Sequence, residues 1–133
     1  MLAMIVDDSR SSLLHLQQLT ERDSDVHAMA FLDPEAALDA AKQHRFDMVI
    51  VDNIMPKVDG IEVLRRLKAD QEFRKLPVIM LTTTDDSREV ERCHQLGCNG
   101  YIQKPVDYDK FAEAIRRIGL FLPLLLVPAL GAP

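Results

Sequence analysis

Little in this chain points to a site built on thiols or zinc. Its 133 residues include only two cysteines, Cys93 and Cys98, with four residues between them. The four histidines are scattered singly, and no histidine or further cysteine completes a metal-ligand spacing with either thiol. We therefore expect neither a zinc centre nor a nucleophilic cysteine.

Positive charge and long apolar runs are also scarce. The formal net charge is −5, without the basic stripe typical of a nucleic-acid surface, so we expect no nucleic-acid partner for this chain. Asp7, Asp8 and Arg10 interrupt the first apolar run, which is unlike a secretory signal peptide. The apolar segment at residues 119–130 is shorter than the ~20 residues of a membrane-spanning helix and contains two prolines. We expect a cytoplasmic protein without membrane contact.

What the chain does contain is an alternation of apolar runs and amphipathic segments. Its length and its hydrophobic fraction of 47% fit one globular domain with a buried core. The apolar runs predict five strands, at residues 2–6, 26–31, 46–51, 78–81 and 101–102. Continuous apolar strands separated by helices predict a parallel sheet covered on both faces. We expect a doubly wound α/β fold with strand order 2-1-3-4-5.

Serines and an Asp-Pro pair predict where two of the helices begin. Ser9, Ser11 and Ser12 are candidate N-caps for the first helix. For the second helix, Asp33 is the predicted N-cap and Pro34 the first helical residue.

Reactive polar residues stand where the predicted strands end. Asp7 and Asp8 follow the first strand, Asp52 the third, Thr82 the fourth, and Lys104 lies just beyond the fifth. The carboxyl ends of parallel strands meet at one edge of the sheet, so these side chains are expected to share a pocket. Clustered carboxylates repel one another unless a cation lies among them, and their oxygen atoms suit Mg²⁺. A carboxylate beside Mg²⁺ can attack a phosphoryl group.

Five segments in this order resemble the motifs of the response-regulator receiver domain of two-component signalling, which has a flavodoxin/CheY-like fold. They are residues 4–9, 51–56, 59–60, 81–83 and 101–105. The resemblance covers residues 2–119. It implies a receiver domain over residues 1–119, followed by an apolar C-terminal tail over residues 120–133.

The resemblance implies a metal site and a phosphoacceptor. Asp52 corresponds to the phosphoacceptor and also contributes to the metal site. Asp7 and Asp8 correspond to the acidic pair that holds Mg²⁺ directly or through water. The backbone carbonyl of Ile54 is the further implied ligand.

The resemblance also implies roles for the residues around the phosphoryl group. Thr82 and the backbone amide of Thr83 correspond to hydrogen-bond donors to its oxygen atoms, and Lys104 to the neutralising positive charge. Thr82 and Tyr101 correspond to a coupled switch pair. The peptide bond before Pro105 corresponds to one that is cis in the family.

The resemblance also implies a partner and an activity. The protein is expected to accept a phosphoryl group from a histidine kinase or phosphotransfer protein. The resemblance implies no enzymatic activity beyond the chain's own phosphotransfer and dephosphorylation. The implied output surface for a downstream protein consists of the fourth helix, fifth strand and fifth helix, near His94, Gln95 and Lys110. Ile54 and Thr84 are poorly suited to orient an attacking water, so we predict a phosphoryl lifetime of minutes or longer.

Two other functions fit these residues less well. A phosphohydrolase with an aspartate nucleophile usually has a second carboxylate two residues later, where this chain has Ile54. A nucleotide-binding module of this fold class needs a glycine-rich turn after the first strand, and none is present. The alternative that stays open is a receiver-like interaction module that acts without phosphorylation.

The apolar tail permits three interpretations. It can form a homodimer contact, pack back on its own domain, or be the beginning of a linker to an output domain. The dimer contact is the interpretation that we favour.

Overall fold

The computed structural model describes residues 1–22, 26–52, 60–82, 87–104 and 106–117. Five strands form one parallel sheet in the order β2-β1-β3-β4-β5, which confirms the predicted fold class and strand order. The strands are β1 (Leu2–Val6), β2 (His27–Phe31), β3 (Met48–Asp52), β4 (Val78–Thr82) and β5 (Gly100–Gln103).

In the part of the chain that the structure describes, four helices connect successive strands and a fifth follows β5. Four of them are α1 (Arg10–Glu21), α2 (Pro34–Gln43), α3 (Gly60–Ala69) and α4 (Ser87–Gln95). The fifth, α5, occupies residues 108–117. Among the described residues, no helix combines the length and the apolar character that crossing a membrane requires.

The predicted helix starts are confirmed. The Ser9 side chain accepts a hydrogen bond from the Ser12 backbone and caps α1. The Asp33 side chain accepts one from the Glu35 backbone and caps α2, with Pro34 in the first turn. Each cap satisfies a backbone N–H group that has no partner within the helix.

Two core layers lie on opposite faces of the sheet, because successive side chains of a strand alternate between faces. Val49 and Val51 belong to the layer beneath α2, α3 and α4. Met48 and Ile50 belong to the layer beneath α1 and α5. Burial on both sides explains why β3 is a continuous apolar run instead of an alternating one.

Several strand boundaries differ from the predicted ones. The ladder between β3 and β4 includes Asp52, and the ladder between β4 and β5 includes Thr82. Phe46, predicted as the first residue of the third strand, is buried but lies outside β3. Backbone pairing determines where a strand ends, whereas the prediction followed side-chain hydropathy. The polar residues at these ends are therefore held by the sheet itself.

Candidate functional site

Three carboxylates cluster at the carboxyl edge of the sheet. One oxygen atom each from Asp7, Asp8 and Asp52 lies within 4.8 Å of the other two. Asp7 is fully buried and Asp52 is 7% exposed, while Asp8 is open to solvent. The structure thus brings together the three acidic residues that the sequence placed after the first and third strands.

The backbone places the two buried carboxylates from adjacent strands. The Asp7 N–H group donates to the Phe31 carbonyl over 3.1 Å, which ties the end of β1 to the end of β2. Asp52 pairs with Leu81 in the ladder between β3 and β4. The backbone of each of these two residues is therefore hydrogen-bonded, which limits the movement of its carboxylate.

The N-cap and the first turn of α1 hold both oxygen atoms of Asp7. The Ser9 N–H group donates to Oδ1 over 3.0 Å. The Ser12 hydroxyl donates to Oδ2 over 2.5 Å. The sequence predicted Ser12 only as a candidate helix cap, so its contact with Asp7 was missed. The available signal was its position in the first helical turn after an aspartate that ends a strand.

Lys104 supplies a positive charge to the carboxylate cluster. Its Nζ lies 3.3 Å from Asp7 Oδ2 and 3.4 Å from Asp52 Oδ1. It also lies 3.4 Å from Ser12 Oγ. The Lys104 N–H group donates to the Thr82 carbonyl over 2.6 Å, and the side chain is 20% exposed. The ammonium is thus anchored at the rim of the site beside both buried carboxylates.

The donor set fits a divalent cation. Three carboxylates bring three negative charges into a volume where Lys104 brings one positive charge. Oxygen ligands at this density are the kind that Mg²⁺ prefers, and Mg²⁺ commonly uses one or two carboxylates together with water and phosphate oxygens. A cation of charge two would balance the remaining charge of the cluster.

Thr82 is the last residue of β4, and Tyr101 lies in the neighbouring strand β5. Tyr101 is half-buried and packs against the core layer beneath α2, α3 and α4. The Thr82 side chain is fully buried and is hydrogen-bonded to the Tyr101 side chain. Burial raises the pKa of Tyr101, and the hydrogen bond from Thr82 partly opposes this effect. The phenol is therefore neutral at ordinary pH.

The remaining predicted residues divide into two groups. His94, Gln95 and Lys110 are exposed on α4 and α5. Several predictions fall outside the residues that the structure describes: those for Ile54, Thr83, Thr84, the bond before Pro105 and the tail over residues 120–133.

Comparison with known proteins gives a consistent set of similarities. A family model described as "Response regulator receiver domain" matches residues 3–116. The polar-differentiation response regulator DivK of Brucella anthropi is 36% identical over 113 residues, which are 85% of this chain and 91% of that protein. DivK of Brucella ovis is 35% identical over the same length.

Solved structures show the same similarity. The signal receiver domain of a histidine kinase from Syntrophus aciditrophicus is 30% identical, with a TM-score of 0.79 and coverage of 88% of each chain. The chemotaxis protein CheY4 of Vibrio cholerae is 26% identical, with a TM-score of 0.81 and coverage of 88% of this chain and 97% of that one.

Proposed function

Because this chain belongs to the response-regulator receiver family, we propose that it accepts a phosphoryl group on Asp52 in the presence of Mg²⁺ and then changes a protein-binding surface. The observation that supports this proposal is the cluster of Asp7, Asp8 and Asp52 beside Lys104. The phosphoryl donor is a histidine kinase or a phosphotransfer protein.

In this proposal the three carboxylates have different roles. Asp7 and Asp8 would hold Mg²⁺ directly or through water, together with Asp52 and the Ile54 carbonyl. The bound cation supplies charge neutralisation for the phosphoryl oxygens. A carboxylate oxygen of Asp52 would be the nucleophile toward the phosphoryl group.

The transfer step is a displacement at phosphorus. A carboxylate oxygen of Asp52 forms a P–O bond, while the P–N bond of the donor phosphohistidine breaks and the electron pair returns to the imidazole, which takes up a proton. Lys104 donates hydrogen bonds to the oxygen atoms of the transferred group, as do Thr82 and the Thr83 amide. The chain catalyses nothing beyond this transfer and the later hydrolysis.

The change of the protein-binding surface follows from the position of Thr82. A phosphoryl group adds a charge of about −1.5 to −2 and three acceptor oxygens at Asp52. Moving toward them requires Thr82 to give up its hydrogen bond with Tyr101, whose ring packs beside α4. The affected surface consists of α4, β5 and α5, where His94, Gln95 and Lys110 are exposed. A downstream protein binds to this surface. The homodimer contact that we propose is separate from it and consists of the apolar tail at residues 120–133.

Backbone NMR shifts with and without beryllofluoride, both measured at saturating Mg²⁺, test this function. We expect shifts in the pocket and across α4, β5 and α5, and none in the Asp52→Asn variant. Shifts confined to the pocket would contradict the switch. No response to beryllofluoride in the wild-type protein would instead favour an interaction module that acts without phosphorylation.

A further inference from the structure

We infer that Ser12 is a positioning residue, which orients Asp7 for the cation and holds Lys104 beside it. This inference rests on the proposed function, because it concerns the same site. Ser12 lies in the first turn of α1, and its backbone N–H group is used by the Ser9 cap. Its hydroxyl is left to make contacts in the site.

The direction of each Ser12 hydrogen bond follows from its partners. An ionised carboxylate only accepts and an ammonium only donates. The Ser12 proton therefore goes to Asp7 Oδ2 at 2.5 Å, and the Ser12 oxygen accepts from Lys104 Nζ at 3.4 Å. The Ser12 hydroxyl thus links the buried Asp7 carboxylate to the Lys104 ammonium.

Ser12 and Ser9 together fix the rotation of the Asp7 carboxylate. Ser9 donates to one carboxylate oxygen and Ser12 to the other. With both oxygens held, the plane of the group is set, and the remaining lone pairs are available toward Asp8 and Asp52. Without Ser12, the carboxylate keeps one donor from α1 and can turn toward Lys104.

Ser12 also completes the surroundings of the Lys104 ammonium. Among the residues that the structure describes, three oxygen atoms lie within 3.4 Å of Nζ, from Asp7, Asp52 and Ser12. An ammonium has three N–H donors, so these three acceptors match its capacity. The Ser12 oxygen is the neutral member of the set, and it keeps Lys104 close to Asp7 without adding negative charge.

The test measures Mg²⁺ affinity for the wild type and three variants by calorimetry on the metal-free protein. Ser12→Ala is expected to weaken Mg²⁺ binding about tenfold, the lower end of the usual effect of residues that orient metal ligands. Ser12→Thr keeps a hydroxyl and is expected to restore most of the affinity. Ser11→Ala is the matched control, because Ser11 is exposed in the same turn and its hydroxyl contacts Ser9 Oγ instead of Asp7.

The rate of phosphorylation by acetyl phosphate distinguishes an effect of Ser12 on Mg²⁺ binding from an effect on the phosphoryl-transfer step. For Ser12→Ala, we expect the Mg²⁺ concentration at half-maximal rate to rise about tenfold. The rate at saturating Mg²⁺ is expected to stay within about twofold, because Asp52 remains in place and Lys104 keeps its contacts with Asp7 and Asp52. A large loss of the saturating rate with unchanged Mg²⁺ dependence would overturn the positioning role.

A metal-free measurement distinguishes failure of this inference from failure of the proposed function. The ¹³C chemical shift of the Asp7 carboxyl carbon at neutral pH is expected to change in Ser12→Ala, and to stay near the wild-type value in Ser12→Thr and Ser11→Ala. An unchanged Asp7 signal, or equal weakening of Mg²⁺ binding by Ser11→Ala, overturns the role of Ser12. If the wild type itself binds no Mg²⁺, the proposed function is overturned.

Discussion

The side chains of Thr82 and Tyr101 are hydrogen-bonded to each other from neighbouring strands, β4 and β5. Thr82 pairs with Gln103 in the ladder, and Tyr101 pairs with Met80, so the bond runs diagonally on one face of the sheet. The fully buried Thr82 is thus hydrogen-bonded to a half-buried ring next to α4.

Removing the phenol hydroxyl tests this relationship. We expect Tyr101→Phe to lower the free energy of unfolding by about 1 kcal/mol, because Thr82 loses a hydrogen-bond partner at a buried position. Urea unfolding at neutral pH measures the change. Tyr108→Phe is the control, because Arg22 contacts the ring face of Tyr108, which phenylalanine retains. Equal stability of wild type and Tyr101→Phe would show that the hydrogen bond contributes nothing.

Removing the Lys104 ammonium should destabilise the protein in a way that depends on Mg²⁺. In Lys104→Met, Asp7 and Asp52 lose a charged partner, and we expect a loss of about 2 kcal/mol without metal. Saturating Mg²⁺ should reduce this loss, because a divalent cation compensates the same carboxylates and binding stabilises the folded state.

Chemical unfolding with and without Mg²⁺ measures both quantities. Lys75→Met, at an exposed position in the turn after α3, is expected to change stability by less than about 0.5 kcal/mol. A Lys104→Met deficit of the same size at both metal concentrations would argue against a shared role of Lys104 and Mg²⁺.

Alkaline pH should destabilise the fold through a buried thiol. Cys98 is 7% exposed, and burial raises its pKa from the ordinary 9.0 to about 11. The folded state therefore retains this proton when the unfolded chain loses it. The contribution is fully present below pH 9 and is lost as the pH rises toward about 11, up to about 2 to 3 kcal/mol.

The comparison with Cys98→Ala isolates this contribution. Burial raises the pKa of Cys93 as well and lowers that of Lys68, so other groups also shape the pH dependence of the wild type. We expect the free energy of unfolding of Cys98→Ala to fall less steeply between pH 9 and pH 11 than that of the wild type. Parallel curves in urea unfolding would contradict the assignment.

The sequence was sufficient to predict the sheet order and the residues gathered at its edge. The order of the five strands could be predicted because apolar runs alternate with helices. This alternation restricts the possible topologies of the sheet. Asp7 and Asp52 could be placed at one edge because parallel strands all end on the same side. These inferences needed only periodicity and the rule for strand ends.

The contacts within the site could not be predicted in the same way. Ser9, Ser11 and Ser12 are all suitable helix caps, and the sequence does not indicate which hydroxyl reaches Asp7. That choice depends on the rotation of α1 about its axis, which is set by packing of buried residues such as Leu13 and Leu16 against the sheet. The hydrogen bond between Thr82 and Tyr101 likewise depends on strand register.

The most direct test of phosphorylation at Asp52 is the mass of the intact protein after incubation with acetyl phosphate and Mg²⁺. We expect addition of one phosphoryl group to the wild type, stable for minutes or longer, and none to Asp52→Asn or to the wild type with a chelator. Labelling of Asp52→Asn to the wild-type level would contradict the assignment of Asp52 as the phosphoacceptor.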